Sequence, residues 1–224
     1  SWRRTEPPVL LRNLRWPLVA AAVVVAAGLV LFERAWAAFA FGVVAAATVV
    51  TVQEFWRGIA ARRRMTRENL FVAVWRLIQR NNRRYGGYIV HLAVILIAIG
   101  VIASNAFQVE RQFVLRPGEQ GQIGPYTVVY RGLDDRRTAD AEIVSAIVDV
   151  YRDDRFAGTV ESHRYFYRNY ENQPTARMGI MLVGMDDVYV VLDRWEDDGT
   201  ASLRVYINPL VIWIWIGAAV FFLG

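Results

Sequence analysis

The chain has 224 residues, no Cys, two His and a formal net charge of +5, and 55% of its residues are hydrophobic. Without Cys it contains no disulfide, thiolate metal site or Cys nucleophile, and two His are too few for most multi-His metal sites. Soluble domains are about 45–50% apolar. Because the apolar excess is gathered in four blocks, we expect those blocks to be membrane spans.

The first two apolar blocks cover residues 17–32 and 36–52, and three residues separate them. So short a link can turn a helical hairpin but cannot hold a domain. We therefore predict a transmembrane hairpin over residues 1–56, with spans at about 14–33 and 36–56. A cleaved signal peptide is excluded, because the second span follows the first at once.

All 26 basic residues are Arg, and nine of them lie in the loop predicted at residues 57–87. Basic residues beside membrane spans mark the cytoplasmic side, so we predict that this loop and the N-terminus are cytoplasmic. Thr66 is a candidate N-cap for an amphipathic helix in the loop. That helix would lie on the bilayer surface or pack on neighbouring cytoplasmic segments. Its apolar face would consist of Leu70, Phe71, Val74, Trp75, Leu77 and Ile78.

The third and fourth apolar blocks cover residues 88–107 and 209–224. At 1.5 Å per residue the third is about 30 Å long, which is the thickness of one bilayer core. The fourth reaches only about 24 Å. The chain stops inside this last helix and begins at Ser1 without a Met. We expect a piece of a longer polypeptide.

The segment between the last two spans, residues 108–208, is predicted to be a β domain on the outer side. From residue 107 to 206 it has 12 Arg against 17 Asp and Glu, and its apolar residues alternate. Strands are predicted at 112–116, 126–131, 142–151, 159–162, 164–168, 177–183, 188–192 and 202–207. Turns are predicted at Pro117-Gly118, Gly124-Pro125, Asp134-Asp135, Asp153-Asp154, Asp186-Asp187 and Asp198-Gly199.

The predicted fold is thus a membrane protein with α-helical transmembrane spans and a small extracytoplasmic antiparallel β domain, either a sandwich or a barrel. We find no nucleophile elbow, P-loop, dinucleotide fingerprint or zinc spacing in the β domain. Its acidic doublets are typical of solvated turns, with cation binding as the alternative. The aromatic run is typical of a half-buried strand, with a flat ligand surface as the alternative. That run comprises His163, Tyr165, Phe166, Tyr167 and Tyr170.

His91 is the one side chain inside an apolar block that titrates near neutral pH. Ionisable groups within spans are costly and usually functional. Neutral imidazole can bind haem iron, relay protons or donate a hydrogen bond to another helix. His91 is only about 4.5 Å along the helix from Tyr88, so an inert interfacial His remains an alternative. His163 cannot be a second haem ligand, because it is predicted to lie across the membrane.

Three stretches carry a resemblance to a known family. They are NNRRYGGYIVHLAVILIAIGVIASNAF (81–107), PGEQGQIGPYTVVYRGL (117–133) and DDVYVVLDRWEDDGTASLRVYINPLVIWIWIGAAV (186–220). Together they resemble the C-terminal region of CcmF, a bacterial cytochrome c maturation family, and the resemblance extends from Trp2 to the end.

This resemblance implies a membrane subunit of a haem lyase. Such a complex receives haem from a haem chaperone on the outer side and attaches it to the CxxCH motif of apocytochrome c. The family also carries a permanent b-type haem, held by two His on different helices, which keeps the incoming haem iron reduced. The His in YGGYIVH matches one of these ligands, so the resemblance implies that His91 is an axial ligand of the haem iron.

The sequence also departs from the family. Its Trp-rich haem-handling segment, the two His that flank that segment and the second transmembrane His ligand are missing from this chain. We therefore expect no catalytic residue in this chain, which alone would be an inactive part of a lyase. The transient substrate haem would be handled by the missing segments, and His163 matches no known ligand of the family.

The implied partners are the rest of the CcmF chain, the haem chaperone, the thiol-handling and apocytochrome subunits, apocytochrome c and the lipid bilayer, with no nucleic acid. The implied location is the bacterial cytoplasmic (inner) membrane, with residues 108–208 on the periplasmic side. Two other functions stay open on the residues alone. One is a non-catalytic scaffold whose β domain recruits a secreted partner, and the other is a b-haem electron carrier.

Overall fold

Two compact units make up the protein in a computed structural model, which describes residues 7–66, 69, 72, 78–79, 82–168 and 174–224. The helical unit comprises Ser1–Ala106 together with Ile212–Gly224, and the β unit comprises Phe107–Val211.

In the described part of the helical unit there are three long apolar helices and a shorter one. These are α1 (Pro7–Leu31), α2 (Ala35–Thr66), α3 (Asn82–Ala106) and α4 (Ile212–Phe221). The first three contain segments long and apolar enough to cross a membrane, namely Leu11–Leu31, Ala35–Met65 and Tyr85–Ala106. They expose large apolar side chains such as Leu18, Val30 and Val43, as lipid-facing helices do.

Small residues bring α1 and α2 together as a hairpin. A Cβ added to Gly28 would lie 2.7 Å from the Cβ of Ala38, and one added to Gly42 would lie 2.5 Å from Val25. No larger side chain fits at either glycine without moving a helix. Close backbone approach through small residues is the usual way in which membrane helices associate, because lipid provides no hydrophobic force between them.

Helix α3 packs against both α2 and α4. Phe55 of α2 lies 5.7 Å from the ring of Tyr85 and 5.4 Å from that of Tyr88. On another side of α3, a Cβ added to Gly217 of α4 would lie 2.8 Å from the carbonyl oxygen of Ala93. These contacts use two faces of α3 and leave a third face uncovered within the described residues.

The described residues of the β unit form nine antiparallel strands in two sheets. They are β1 (Val109–Leu115), β2 (Gln120–Ile123), β3 (Tyr126–Arg137), β4 (Ala141–Arg152), β5 (Arg155–Tyr167), β6 (Thr175–Arg177), β7 (Gly179–Val183), β8 (Asp186–Trp195) and β9 (Ala201–Asn208). One sheet has the order β1-β9-β8-β7 and the other β2-β3-β4-β5-β6. The two-sheet sandwich, rather than the barrel, is therefore the architecture, and the predicted fold class of helical spans with an antiparallel β domain is confirmed.

Alternating side chains from both sheets form the core between them. Its fully buried members include Val128, Val148, Val190 and Leu203. The core also holds two tyrosines whose hydroxyls are satisfied. Tyr126 donates to Asp186 Oδ2 at 2.9 Å and Tyr130 donates to the carbonyl of Gly199 at 3.1 Å, and burial raises the pKa of Tyr130 to about 12.

Two helices differ from their predicted bounds. Helix α2 continues to Thr66, so this residue ends α2 instead of capping the next helix. Most of the predicted amphipathic helix lies outside the described residues, but Ile78 packs against a cluster formed by Ile59 and Tyr85. Helix α3 begins at Asn82, six residues before the predicted start of the third span. The polar residues at 57–66 and 82–87 suggested a loop. They are helical instead, because α2 and α3 both continue beyond their apolar segments.

Several strand and turn predictions were wrong. The turn predicted at Asp134-Asp135 lies inside β3, where Asp134 pairs with Ser145 and the chain instead reverses just before Ala141. The acidic pair is exposed, so a projecting hairpin tolerates its charge. The turn predicted at Asp186-Asp187 forms two residues earlier, and β8 begins at Asp186.

Other strand bounds were also corrected. The strands predicted at 159–162 and 164–168 are parts of the single strand β5, which ends at Tyr167. The segment predicted as one strand at 177–183 is divided between β6 and β7, which lie in different sheets. Strand β2, with two glutamines and a glycine, was not predicted because it has no alternating apolar pattern. By contrast, Asp153 and Asp154 form the predicted turn, with φ angles of 49° and 62°.

Candidate functional site

His91 lies on α3 with its imidazole oriented by the helix itself. The side chain is exposed, and its Nδ1 lies 2.6 Å from the carbonyl oxygen of Gly87, one turn earlier. A carbonyl oxygen only accepts hydrogen bonds, so Nδ1 must donate. In the neutral ring the lone pair is then on Nε2. Metal-binding His are commonly fixed in this way, with one nitrogen hydrogen-bonded to a backbone carbonyl and the other directed at the metal.

The surroundings of His91 fit a flat, bulky ligand. Gly87, His91, Val94 and Ala98 follow the i, i+4, i+7 and i+11 spacing, so they share one face of α3. Val94 is 52% exposed, and a Cβ added to Gly87 would meet nothing within 4 Å. Gly87 and Ala98, the two small residues of this face, leave room on either side of the imidazole. This face is distinct from those that contact α2 and α4, so a planar ring could approach Nε2 without displacing either helix.

His91 lies in the third candidate span, six residues after its start at Tyr85. At 1.5 Å per residue this is about 9 Å along the helix. Because α3 begins at Asn82 with polar residues, its start does not set the depth of the imidazole in a bilayer, and the interfacial alternative stays open beside the ligand one.

The second histidine, His163, belongs to a polar row on the outer face of the five-stranded sheet. Its Nδ1 lies 2.7 Å from Ser145 Oγ, and its Nε2 lies 4.0 Å from Glu161. Cross-strand pairing continues the row to Asp134 and Arg177. The imidazole is thus held on the outer face of the sheet, where its Nδ1 is hydrogen-bonded to Ser145 on the neighbouring strand β4.

The aromatic run alternates across β5. Tyr165 and Tyr167 stack at 5.9 Å on the outer face, next to His163, whereas Phe166 contacts Trp195 at the core. Tyr170 lies outside the described residues. These contacts account for the run as strand packing. Within the described residues no three His, Asp or Glu side chains gather to hold a metal ion.

Two buried carboxylates of the β unit have opposite surroundings. Asp149 accepts hydrogen bonds from Thr159 at 2.7 Å and from Arg131 at 2.6 Å. These bonds hold the pKa of Asp149 below its ordinary value. Asp187 has no such cation, and burial raises its pKa, although Tyr189 opposes this by donating a hydrogen bond. Asp149 and Asp187 are both buried within the β unit. We therefore assign a structural role to each carboxylate.

Comparison with known proteins shows which family this chain is similar to. Residues 106–209 match the family described as the CcmF C-terminal beta-sandwich. The chain is similar to CcmF proteins in this region and beyond it. Cytochrome c-type biogenesis protein CcmF of Pseudomonas aeruginosa is 27% identical over 227 residues, which cover 100% of this chain and 33% of that protein. The Haemophilus influenzae protein of the same name is 29% identical over 163 residues, covering 70% of this chain and 24% of that protein.

A solved structure also matches. The protein titled Cytochrome c Heme Lyase CcmF aligns with a TM-score of 0.76 and 24% identity, covering 100% of this chain and 35% of that one. At this identity the match supports the fold alone. The predicted resemblance to CcmF is thus confirmed, and this chain spans about a quarter to a third of the length of these relatives.

Sequence reasoning identified His91 but not the residue that orients it. Gly87 provides both the carbonyl that fixes the imidazole and the open space beside it. The signal was present as the Gly86-Gly87 pair one turn before the histidine. Glycine pairs inside a helix are unfavourable by propensity, and here Gly86 lies against Gly224, just after the end of α4, while Gly87 leaves open space beside His91.

Proposed function

We propose that this chain is the C-terminal part of the membrane haem lyase subunit of a cytochrome c maturation system. In this role His91 is one axial ligand of a b-type haem, and the second ligand lies outside this chain. The observation that carries the proposal is the orientation of His91, whose Nδ1 is occupied by the Gly87 carbonyl, so that Nε2 can coordinate iron. The similarity to cytochrome c-type biogenesis proteins supports the choice of haem over other ligands.

In this proposal each residue of the α3 face has a defined task. His91 donates the Nε2 lone pair, and Gly87 fixes the ring and leaves space for the edge of the porphyrin. Val94 and Ala98 provide apolar contact and exclude water. When bound, the haem provides a redox centre that keeps the iron of the substrate haem reduced before it is attached to the CxxCH motif of apocytochrome c.

We further propose that the protein lies in the bacterial inner membrane with the β unit on the periplasmic side. The Arg-rich ends of α1 and α2 would then face the cytoplasm, as the positive-inside rule requires. The β unit would meet the haem chaperone, the thiol-handling subunits and apocytochrome c. Because the chain has no Cys, single Cys residues introduced at Asp154 and Met65 would report its orientation. A membrane-impermeant thiol reagent added to spheroplasts should label the first and not the second.

The haem assignment is tested by optical spectra of the complete membrane polypeptide that contains this chain. The variant His91→Gly should lose a low-spin b-type signal in the reduced-minus-oxidised spectrum, and added imidazole should restore it. Production of c-type cytochromes should fall with the signal. His163→Gly is the matched control, because it removes the other histidine of this chain and should leave the spectrum unchanged.

Two results would contradict the proposal. An unchanged spectrum in His91→Gly would remove His91 from the iron. Normal cytochrome c production without the b-type signal would instead show that this haem is not needed for the lyase, as expected of a separate electron carrier.

A further inference from the structure

The open end of the α1–α2 hairpin contains a basic cavity that the proposed haem site does not use. Its volume is about 720 Å³, within the range of small-molecule sites. We call it the hairpin cavity, and it is lined by Arg12, Asn13, Arg15 and Trp16 of α1 and by Val52, Gln53, Trp56 and Arg57 of α2.

The hairpin cavity is positively charged and its cations are available to an anion. None of its lining residues is acidic. Arg57 forms an ion pair with Glu54 at 2.7 Å and bonds to Asn13 Oδ1 at 3.0 Å. Its charge is therefore balanced, but these bonds use only two of the five N–H donors of its guanidinium. Within the described residues neither Arg12 nor Arg15 forms an ion pair. Arg15 lies 5.4 Å from the ring centre of Trp16, which holds its guanidinium at the rim.

The position of the cavity corresponds to the membrane surface. The bond from Arg57 to Asn13 aligns the two helices at this level. Trp16 is 15 residues before Leu31, the end of the first candidate span, so the two are about 22 Å apart along the helix. Trp16 and Trp56 are 57% and 59% exposed. Exposed Trp at the end of a span is typical of the layer between acyl chains and headgroups.

We propose that the hairpin cavity binds the headgroup of an anionic phospholipid. The guanidiniums of Arg12, Arg15 and Arg57 provide parallel N–H donors that match the oxygens of a phosphodiester. Trp16 and Trp56 flank the glycerol and the first methylenes of the acyl chains. Basic pockets between membrane helices recognise anionic headgroups in this way. The lipid fastens α1 to α2 at the end of the hairpin where Gly28 and Gly42 do not reach.

The test measures lipid affinity by native mass spectrometry of the complete, delipidated membrane polypeptide in detergent. The probes are phosphatidylglycerol, phosphatidylcholine with the same acyl chains, and inorganic phosphate as a competitor. We expect phosphatidylglycerol to bind in preference to phosphatidylcholine. The double variant R12Q/R15Q should bind phosphatidylglycerol about 30-fold more weakly, from the usual contribution of two basic residues near an anionic lipid.

Two matched variants make the result specific. R63Q/R64Q removes the same charge from exposed positions further along α2 and should change the affinity less than about twofold, in line with distant, independent sites. R12K/R15K keeps the charge and should retain most of the binding. The proposal is overturned if R12Q/R15Q binds as tightly as the wild type, if R63Q/R64Q loses as much affinity, if the two lipids bind equally, or if inorganic phosphate displaces the lipid.

Discussion

The helical unit and the β unit satisfy their side chains in different ways. The β unit encloses a core of valines, leucines and tyrosines between two sheets. Among the described residues no buried side-chain polar atom lacks a partner. The helical unit buries little, since only 11% of the first candidate span and 28% of the third lie inside it. Its most distinctive polar side chain, His91, is exposed.

This difference indicates where function is to be sought. In the β unit the buried or half-buried groups Asp149 and His163 are held by internal hydrogen bonds. In the helical unit His91 and the basic residues of the hairpin cavity are directed outward, into space that lipid, haem or other polypeptide can fill. The β unit is therefore a self-sufficient body, whereas the helical unit is completed by what it contacts.

The largest expected effect is in the β core. Leu203→Ala should destabilise the β unit by about 2–5 kcal/mol, because it leaves a cavity among fully buried neighbours. Leu18→Ala on α1, where the side chain is 58% exposed, should cost about 0.5 kcal/mol or less. Hydrogen–deuterium exchange of the complete polypeptide in detergent measures both. A large loss of stability in Leu18→Ala would mean that another polypeptide covers this face of α1. It would contradict the difference between the two units.

The next effect is at the haem face. Gly87→Leu should reduce haem occupancy at least about tenfold, because the new side chain fills the space beside His91. The exchange rates of α3 amides in haem-free protein should stay unchanged, since nothing lies within 4 Å of an added Cβ at this glycine. Absorbance per protein gives the occupancy. Full occupancy in the variant would show that the ligand does not approach this face.

A smaller effect is expected at Asp149, with a defined pH dependence. Its pKa is lowered by the bonds from Thr159 and Arg131, so its stabilisation is present above the unfolded pKa of about 3.9 and is lost as the pH falls through the folded pKa. Asp149→Asn should therefore cost about 1–2 kcal/mol at pH 7. The difference in unfolding free energy between the variant and the wild type should begin to shrink below about pH 4 and should shrink further as the pH falls through the folded pKa. Denaturant unfolding at pH 7 and at a series of pH values below about 4 tests this, and a difference that does not change with pH would contradict it.

The smallest effect, of opposite sign, is expected at Asp187. Its pKa is raised, first of all by burial, so stability is fully present below the unfolded pKa and is lost as the pH rises through the folded pKa. Asp187→Asn should therefore stabilise the β unit at pH 7. An amide oxygen can still accept the bond from Tyr189. The same unfolding measurements at pH 7 and at about pH 4 check the sign, and a destabilised variant at pH 7 would contradict it.

The sequence predicted those elements whose pattern is local. Four apolar blocks gave four helices, and alternating residues such as those of β4 and β9 gave strands close to their observed bounds. The errors arose where long-range pairing decides. Asp134 and Asp135 resemble a turn but continue β3 because β4 pairs with them. Strand β2 forms only because β3 provides its hydrogen bonds.

The candidate site was predictable in part for the same reason. An ionisable residue in an apolar block is a local signal, and it made His91 the candidate ligand. The bond from Nδ1 to Gly87 is also local, and helical spacing would have allowed its prediction. The hairpin cavity was not predictable, because its walls are separated by about 40 residues of sequence. The walls meet because α1 and α2 pack as a hairpin, with Arg57 bonded to Asn13 at the level of the cavity.

The two ends of the β unit meet at one point. Val109 pairs with Ile207 on neighbouring strands, and the side chains of Gln108 and Asn208 are hydrogen-bonded just beyond them. A body whose entrance and exit are adjacent can be lengthened, shortened or exchanged during evolution without changing the gap that it bridges. Tension applied at these ends would also separate β1 from β9 one hydrogen bond at a time, starting at Val109 and Ile207. It would not load all the hydrogen bonds of the strand pair at once. The same adjacency that makes the unit easy to insert thus determines where mechanical failure would begin.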